Sequence, residues 1–332
     1  MAEKILEVQD LRVKFPVAGG VLARKVAEVR AVDGVSFDLN HGETLGLVGE
    51  SGCGKSTVGR AVVNILRAMS YGVDISGKVI YNHETGPVDL ASLGRREMRP
   101  YRTDLQMIFQ DPYSSLNPRM TVQQIVEEPL KLHTKADAAE RRERVAVLLS
   151  KVGLSAEQAS RYPHEFSGGQ RQRIGIARTL ATRPKIIIAD EPVSALDVSI
   201  QAQVINLMQD LQDEFQLSYV FIAHDLSVVR HISDRIAVMY LGHIVEIGPA
   251  ELIYQTPMHP YSKALLSAVP RPDPDAAVEN RRIRLGGDIP NPMRKPSGCA
   301  FRTRCPIAKP SCADAIPPLE FKEGRWVACP WV

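Results

Sequence analysis

The segment GESGCGKST, residues 49–57, constrains the fold of this chain more than any other stretch of its sequence. It satisfies the pattern G-x-x-x-x-G-K-[ST], in which glycines let the backbone turn tightly enough for successive N–H groups to point at phosphate oxygens. The apolar run TLGLVG before it is typical of a buried strand, and KSTVGRAVVNIL after it has apolar residues at helical spacing. This order of strand, glycine loop and helix predicts a phosphate-binding loop rather than an ordinary turn.

Each residue of this loop has an expected part in binding a nucleotide. Lys55 would place its positive charge between the outer phosphates, and the Ser56 hydroxyl would bind Mg²⁺. Cys53 is expected to matter by being small, although its place at a helix N-terminus would lower the pKa of its thiol. The residues expected at the nucleotide are Gly49, Glu50, Ser51, Gly52, Cys53, Gly54, Lys55, Ser56 and Thr57.

Composition narrows the function classes. The 332 residues are 44% hydrophobic and 24% charged, which is ordinary for a globular protein. The net charge of +3 is too close to neutral to suggest nucleic acid as a partner. The N-terminal stretch MAEKILEVQD lacks the apolar core of a signal peptide, and no apolar run approaches the ~20 residues that span a bilayer. We therefore expect a soluble chain of the cytosol.

The chain alternates between strand and helix patterns, which predicts an α/β fold with a parallel core and crossover connections. Short alternating runs fill the first ~45 residues, and residues 121–184 form a helical insertion in the core. The proline-rich text PRPDPDAAVENRR, close to residue 270, is typical of a linker. We predict a nucleotide-binding domain over residues 1–270 and a linker with a C-terminal cysteine module over residues 271–332.

Besides the Ser56 hydroxyl, a Mg²⁺ site at a phosphate loop needs a carboxylate from a neighbouring strand. The run IIIADE supplies it, because Asp190 ends a buried apolar stretch and Glu191 follows. Acidic side chains at the end of a buried strand are costly unless they face a cation or water. Asp190 is therefore expected to hold Mg²⁺, directly or through water, and Glu191 to polarise the attacking water as a general base.

The segment FSGGQRQR, residues 166–173, resembles the signature motif of ATP-binding-cassette (ABC) ATPases, with Phe166 in place of the usual leucine. A serine and two glycines at a helix N-terminus make a second anion site. The resemblance implies that the signature of one subunit caps the ATP held by the phosphate loop of another. The signature residues carried over are Ser167, Gly168, Gly169 and Gln170.

The remaining motifs of that family follow in its order between residues 15 and 224. The resemblance implies that Phe15 stacks on adenine, that Gln110 contacts Mg²⁺ and reports to the membrane partner, and that His224 contacts the γ-phosphate. It also implies a P-loop NTPase cassette with a helical subdomain insertion and an antiparallel β subdomain, which binds ATP and Mg²⁺. The implied catalytic set is Glu191, His224 and Gln110; the implied Mg²⁺ set is Ser56, Gln110 and Asp190.

Longer stretches resemble one branch of the family. The segments IFQDPYSSLNPR (residues 108–119) and TPMHPYSKALLSAVP (residues 256–270) are similar to the ATPases of bacterial dipeptide and oligopeptide importers, and above all to the second, F-type subunit. This implies import of short peptides from a peripheral position on the cytoplasmic face of the inner membrane. The implied partners are a second, different ATPase subunit, two permeases and a peptide-binding protein. Relatives in this branch also carry nickel or glutathione, so the substrate stays open.

Four cysteines lie in the last 34 residues, with the spacing C-x5-C-x6-C-x16-C. This spacing matches neither zinc-ribbon pairs nor ferredoxin runs, but four thiolates can still bind Zn²⁺ or a [4Fe–4S] cluster. The resemblance favours the cluster, with Zn²⁺ and unbound thiols as the alternatives. The cysteines concerned are Cys299, Cys305, Cys312 and Cys329.

Two other functions fit the sequence less well than peptide import. Translation factors with this cassette normally hold two copies in one chain, and chromosome or repair ATPases separate loop and signature by a long coiled coil. Here the separation is just over a hundred residues without a long heptad run, and the charge disfavours nucleic acid. Most exporters of the family fuse membrane spans to the cassette, which this sequence lacks.

Overall fold

A computed structural model of the protein describes residues 3–19, 24–111, 113–268 and 283–332. The chain forms two compact units. The first comprises Met1–Asn40, Thr44–Ser92 and Ala223–Val332, and the second comprises His41–Glu43 and Leu93–Ile222. The linker predicted around residues 270–282 lies outside the described residues.

The first unit contains a four-stranded antiparallel sheet. Its strand order is β2-β1-β4-β5. Apolar and polar residues alternate along β1, so that the side chains of Leu6, Val8 and Val13 are buried in the core. This sheet is the antiparallel β subdomain that the sequence resemblance implied. Its strands are β1 (Lys4–Gly19), β2 (Arg24–Asn40), β4 (Asp74–His83) and β5 (Gly86–Asp89).

A second group of strands in the first unit carries the phosphate loop. Strand β3 (Thr44–Val48) is buried throughout and runs parallel to β9 (Arg235–Tyr240). Strand β9 forms a hairpin with β10 (His243–Pro249), and β10 then pairs with strand β12 (Arg325–Val327). Strand β12 pairs in turn with β11 (Glu320–Lys322). The C-terminal strands therefore extend the same sheet that positions the phosphate loop.

Short helices complete the first unit, and local chemistry fixes where they begin. Asp225 accepts a hydrogen bond from the backbone N–H of Ser227 and so caps α7, while Pro260 occupies the first turn of α9. The helices are α1 (Lys55–Val62), α2 (Leu66–Met69), α7 (Leu226–Ile232), α8 (Ala250–Gln255) and α9 (Pro260–Ser267).

The described part of the second unit has three parallel strands and the helical insertion. Strand β7 (Ile186–Asp190) pairs with β6 (Leu105–Ile108) on one side and with β8 (Ser218–Ile222) on the other. Every residue of β7 and β8 is buried, as expected of strands in a parallel sheet. The helices are α3 (Val122–His133), α4 (Ala138–Lys151), α5 (Gly168–Leu180) and α6 (Val198–Phe215).

The predicted α/β cassette with a helical insertion is therefore confirmed, with α3, α4 and α5 falling in the predicted range. Thr121 starts α3 through a reciprocal hydrogen-bond pair with Gln124, and Asp137 caps α4. In the described ranges, none of the helices combines the length and apolar character needed to cross a bilayer.

Candidate functional site

The phosphate loop is shaped by two glycines that no other residue could replace without strain. Gly49 has φ 153° and Gly54 has φ 109°, and both close against the backbone of neighbouring strands. A Cβ on Gly49 would lie 2.2 Å from the carbonyl oxygen of Met239, and one on Gly54 would lie 2.3 Å from that of Ala31. Helix α1 then starts at Lys55, so that its N-terminus faces the loop.

Inside the loop, Lys55 lies almost completely buried. Its Nζ donates hydrogen bonds to the carbonyl oxygens of Gly49, at 2.7 Å, and of Glu50, at 3.2 Å. The carbonyl of Cys53 accepts from the N–H of Gly242 at 2.8 Å, which ties the far side of the loop to the β9–β10 hairpin. The ammonium group is thus held over the loop, while Ser51 and Gly52 stay exposed to an incoming ligand.

The prediction that the Cys53 thiol has a lowered pKa is wrong. Its side chain is buried, and burial raises the pKa of the thiol more than the nearby Lys55 lowers it. Cys53 therefore stays a protonated thiol that fills space. A Cβ on Gly49 would lie 2.8 Å from its Sγ, so the loop has little room for a larger side chain here.

Glu50 is fixed at both its side chain and its backbone, which sequence reasoning missed. The guanidinium of Arg304 donates to both carboxylate oxygens of Glu50, at 2.8 and 3.2 Å. The backbone N–H of Glu50 donates to the phenol oxygen of Tyr261 at 2.9 Å. Arg304 also donates to the hydroxyl of Tyr240 at 3.4 Å. No signal in the sequence connects residues so far apart with the loop.

Two more predicted residues lie in the first unit. Phe15 is half-buried on β1, directly across from Val29 of β2. His224 is exposed and immediately precedes Asp225, the residue that caps α7. Their placement leaves an aromatic face and an imidazole accessible for the roles that the sequence resemblance implied.

The second unit brings together three predicted residues at the carboxyl ends of two neighbouring parallel strands. Gln110 follows β6, and its side-chain Nε2 donates to Oε2 of Glu191 at 2.9 Å. Asp190 is the last residue of β7 and directly precedes Glu191 in the sequence. Its side chain is fully buried. Carboxyl ends of parallel strands meet at one edge of a sheet, where ligands usually bind.

Glu191 adopts a backbone conformation that glycine usually occupies. Its φ is 48°, in the left-handed region, and such strain in a side-chain-bearing residue is often found at functional sites. Its N–H donates to the carbonyl of Ile222 at 2.9 Å, and its own carbonyl accepts from the hydroxyl of Ser194 at 3.1 Å. These bonds hold the turn, so the carboxylate projects from a fixed backbone.

The signature segment starts a helix, as predicted. The Ser167 hydroxyl accepts from the N–H of Gln170, and the Gln170 side chain accepts from the N–H of Ser167, at 3.3 and 3.1 Å. Ser167 itself is exposed, and a Cβ on Gly169 would lie 2.5 Å from Cγ2 of Ile200. The helix N-terminus of α5 is therefore open to an anion, while Gly169 allows α5 to approach α6 closely.

The cysteine module, whose described part is residues 283–332, holds four thiols around one cavity of about 340 Å³. All five cysteines of the chain are free thiols. The N–H of Cys299 donates to the carbonyl of Cys312 at 2.8 Å, and burial raises the pKa of the Cys299 and Cys305 thiols. The cavity is lined by Cys299, Cys305, Cys312 and Cys329 together with mostly apolar side chains that include Phe301, Ile307 and Trp331.

The described residues nevertheless contain no group of three or more His, Cys, Asp or Glu side chains arranged to hold a metal ion. The four cysteines line one cavity without forming such a group. The predicted metal site, whether a [4Fe–4S] cluster or Zn²⁺, is thus not present as a formed set of ligands.

A buried histidine beside this cavity gives a testable consequence. His259 is 2% exposed, and its Nδ1 accepts a hydrogen bond from the N–H of Tyr261 at 3.1 Å. Burial lowers the pKa of His259 to about 3. An unfolded histidine has a pKa near ~6.5, so the unfolded chain binds more protons than the folded chain between those values. The contribution of His259 to the free energy of unfolding therefore decreases as the pH falls from about 6.5 toward 3.

The substitution His259→Asn should weaken this acid sensitivity. Asparagine can still cap α9 by accepting from the N–H of Tyr261, but it does not titrate. Urea unfolding at several pH values should show a smaller loss of unfolding free energy toward low pH than in the parent. The exposed His41, changed to Asn, is the matched control. Equal profiles for His259→Asn and the parent would contradict the neutral buried state.

Comparisons with known proteins agree with this geometry. Residues 32–194 match the family model described as ABC transporter, and residues 245–312 match that of the oligopeptide/dipeptide transporter, C-terminal region. Among solved structures, the dimeric ABC transporter cassette MJ0796 is 27% identical with a TM-score of 0.62, over 74% of this chain and 98% of that one. CbiO1 of Clostridium perfringens is 25% identical with a TM-score of 0.62, over 76% and 92% of the two chains.

The fold, the phosphate loop and these likenesses define an ABC ATPase. The oligopeptide transport ATP-binding protein AppF of Bacillus subtilis is 53% identical to this chain. The match covers 98% of this chain and 97% of AppF. OppF of Salmonella typhimurium is 54% identical over 98% of this chain and 95% of its own length. The chain therefore belongs to the family of oligopeptide and dipeptide transport ATP-binding proteins.

Proposed function

We propose that this chain hydrolyses ATP to energise the import of short peptides across the bacterial inner membrane. The observation that carries the proposal is its likeness to the oligopeptide transport ATP-binding proteins over 98% of the chain, in a range that includes the cysteine module. The subunit would be peripheral, on the cytoplasmic face of the membrane. Residues 1–270 would form the nucleotide-binding domain, with the linker and cysteine module after them.

The proposed roles of the site residues follow from where each side chain lies. The helix N-terminus of α1 and the buried Lys55 would bind the phosphates, and Phe15 would stack on adenine. Glu191 would act as the general base, and its bond to Gln110 supports this because that bond fixes the carboxylate. His224 would contact the γ-phosphate. Mg²⁺ would be held by Ser56, Gln110 and Asp190, and the signature of Ser167, Gly168, Gly169 and Gln170 would cap a second subunit's ATP.

The proposed partners are a second ATPase subunit of different sequence, two permeases and a peptide-binding protein. A cavity of about 480 Å³ in the second unit supports permease docking. It is lined in part by Phe109 and Leu132, which are 37% and 58% exposed, so it presents apolar surface to solvent. Phe109 directly precedes Gln110, and docking here would therefore act next to the proposed catalytic residues.

A transport assay in cells tests the proposed function. Cells that lack this chain should lose uptake of labelled short peptides, and the parent protein should restore it. Lys55→Ala should not restore uptake, because it removes the charge expected at the phosphates. Unchanged peptide uptake combined with lost uptake of nickel or glutathione would overturn the proposed substrate while leaving the ATPase assignment intact.

We also propose that the cysteine module holds a [4Fe–4S] cluster. Four free cysteines around one cavity supply the number of thiolates that such a cluster requires. The arrangement would have to tighten around the group, since no ligand set is formed in the described residues. Protein purified without oxygen should then contain about four irons and four sulfides per chain and absorb visible light. One zinc per chain without iron, or no metal at all, would overturn this proposal.

A further inference from the structure

A charged side chain of the cysteine module, Arg304, contacts the phosphate loop. Arg304 immediately precedes Cys305 and forms the two-pronged ion pair with Glu50, whose carboxylate is in the loop. The Arg304 side chain is only 8% exposed, and that of Glu50 is 27% exposed. A two-pronged pair between a guanidinium and a carboxylate fixes geometry as well as charge, and partial burial limits its screening by salt.

The backbone of Arg304 is bonded within the cysteine module, so that Arg304 moves with the module. The N–H of Arg304 donates to the carbonyl of Phe301 at 3.0 Å, within the turn between Cys299 and Cys305. Phe301 is 1% exposed and packs its ring against Tyr240 and Tyr261, with ring centroids 5.1 and 5.4 Å away. A change in the turn would therefore displace Arg304.

The same two tyrosines support the contact between the module and the phosphate loop. Tyr261 accepts the hydrogen bond from the N–H of Glu50, and Tyr240 accepts one from Arg304. Two side chains thus hold the loop at Glu50, namely Tyr261 and Arg304, and Arg304 comes from the cysteine module. Because the loop binds phosphate with its backbone N–H groups, their direction depends on how Glu50 is held. Arg304 also neutralises a carboxylate that would otherwise repel the phosphates.

From this arrangement we propose that Arg304 is a positioning residue that couples the cysteine module to nucleotide binding through Glu50. Nucleotide affinity then depends on the state of the four cysteines. By reciprocity, a bound nucleotide shifts the equilibrium between the states of the module by the same factor, and the alkylation rate of the cysteines is the readout of that equilibrium. The inference rests on nucleotide binding by the phosphate loop, and it holds whether the module binds a cluster or keeps free thiols.

The first test is the affinity for a fluorescent ATP analogue. Arg304→Gln should weaken binding about tenfold, within the usual range of coupling between sites. In a Glu50→Ala background the same substitution should change affinity less than twofold, because Arg304 acts through that carboxylate. Arg302→Gln is the matched control, since in the described part of the chain its guanidinium bonds to Ser297, away from the phosphate loop, and it should bind the analogue as the parent does.

The second test reads the coupling from the other end. Saturating ATP should change the rate of Cys305 alkylation, followed by peptide mass spectrometry, about tenfold in the parent and in Arg302→Gln. In Arg304→Gln, ATP should leave the rate unchanged. In protein that contains a cluster, the rate of cluster loss to a chelator gives the same readout. A role in folding alone would not remove the nucleotide dependence.

Three results would overturn the coupling. Affinity of Arg304→Gln within twofold of the parent would show that the ion pair does not shape the loop. An equal effect of Arg304→Gln with and without the Glu50 carboxylate would show that it acts elsewhere. An alkylation rate of Cys305 that is the same with and without ATP in the parent would show that the nucleotide does not affect the module. None of these results would bear on peptide transport, which the uptake assay tests separately.

Discussion

The substitution Glu191→Gln should lower ATP hydrolysis by about 10² to 10⁴-fold while leaving ATP binding intact. The amide has nearly the same shape as the carboxylate and can still accept the hydrogen bond that Gln110 donates at 2.9 Å. It cannot take a proton from water at neutral pH. The turn that holds Glu191 is stabilised by backbone contacts to Ile222 and Ser194, which the substitution does not touch.

Phosphate release and binding of a fluorescent ATP analogue, measured on the same preparation, check this prediction. Glu143→Gln, at an exposed position on α4, removes the same charge elsewhere in the second unit and should hydrolyse ATP as the parent does. Hydrolysis by Glu191→Gln at the parent rate would remove Glu191 as the general base. A parallel loss of binding would mean that its carboxylate holds the nucleotide or its metal instead.

The second large effect is expected from Arg325→Met, which should cost about 3–5 kcal/mol of unfolding free energy. Arg325 is 1% exposed, and its guanidinium faces the carboxylate of Glu246, which is 0% exposed, at 3.4 Å. Glu246 also accepts from the N–H groups of Met258 and His259, at 2.9 and 3.0 Å. The substitution would leave a buried carboxylate without a counter-charge, and this is more costly than losing the pair as a whole.

Urea unfolding checks the cost, and the partner variant isolates its cause. Arg325→Met combined with Glu246→Gln should recover at least about 1 kcal/mol, because the lone charge is gone while the amide oxygen still accepts a backbone bond. Glu320→Gln removes an exposed carboxylate on the neighbouring strand β11 and should change stability by less than about 0.5 kcal/mol. A loss below about 1 kcal/mol for Arg325→Met would contradict a buried, essential pair.

The nucleotide elements were predictable because their chemistry is local. The glycines at 49 and 54 and Lys55 follow one another within a few residues, and the strand and helix around them have clear periodicity. Asp190 and Glu191 could be placed for the same reason, since they end an apolar run. Ser167 could be expected to start a helix because a serine with glutamine three residues later makes a capping pair.

The long-range pairs could not be predicted. Glu50 and Arg304 are 254 positions apart, and Glu246 and Arg325 are 79 apart. Arg304 and Arg325 lie in a proline-rich region without periodicity, so nothing distinguishes them from exposed charges in the sequence. Only the pairing of β12 with β10 brings Arg325 into the interior. A long-range contact also explains the error at Cys53, because the β9–β10 hairpin, which bonds to the Cys53 carbonyl through the N–H of Gly242, is not visible in the sequence of the loop itself.

Reconstituted transport is the most direct test of the central claim, that ATP hydrolysis by this chain powers peptide import. The complex that co-purifies with the tagged chain would be placed in proteoliposomes with ATP on the ATPase side and its peptide-binding protein on the other. A mixed library of short peptides would be supplied, and accumulated peptides identified by mass spectrometry. The account predicts ATP-dependent accumulation with the parent and none with Glu191→Gln. ATP hydrolysis without accumulation of any peptide would contradict it.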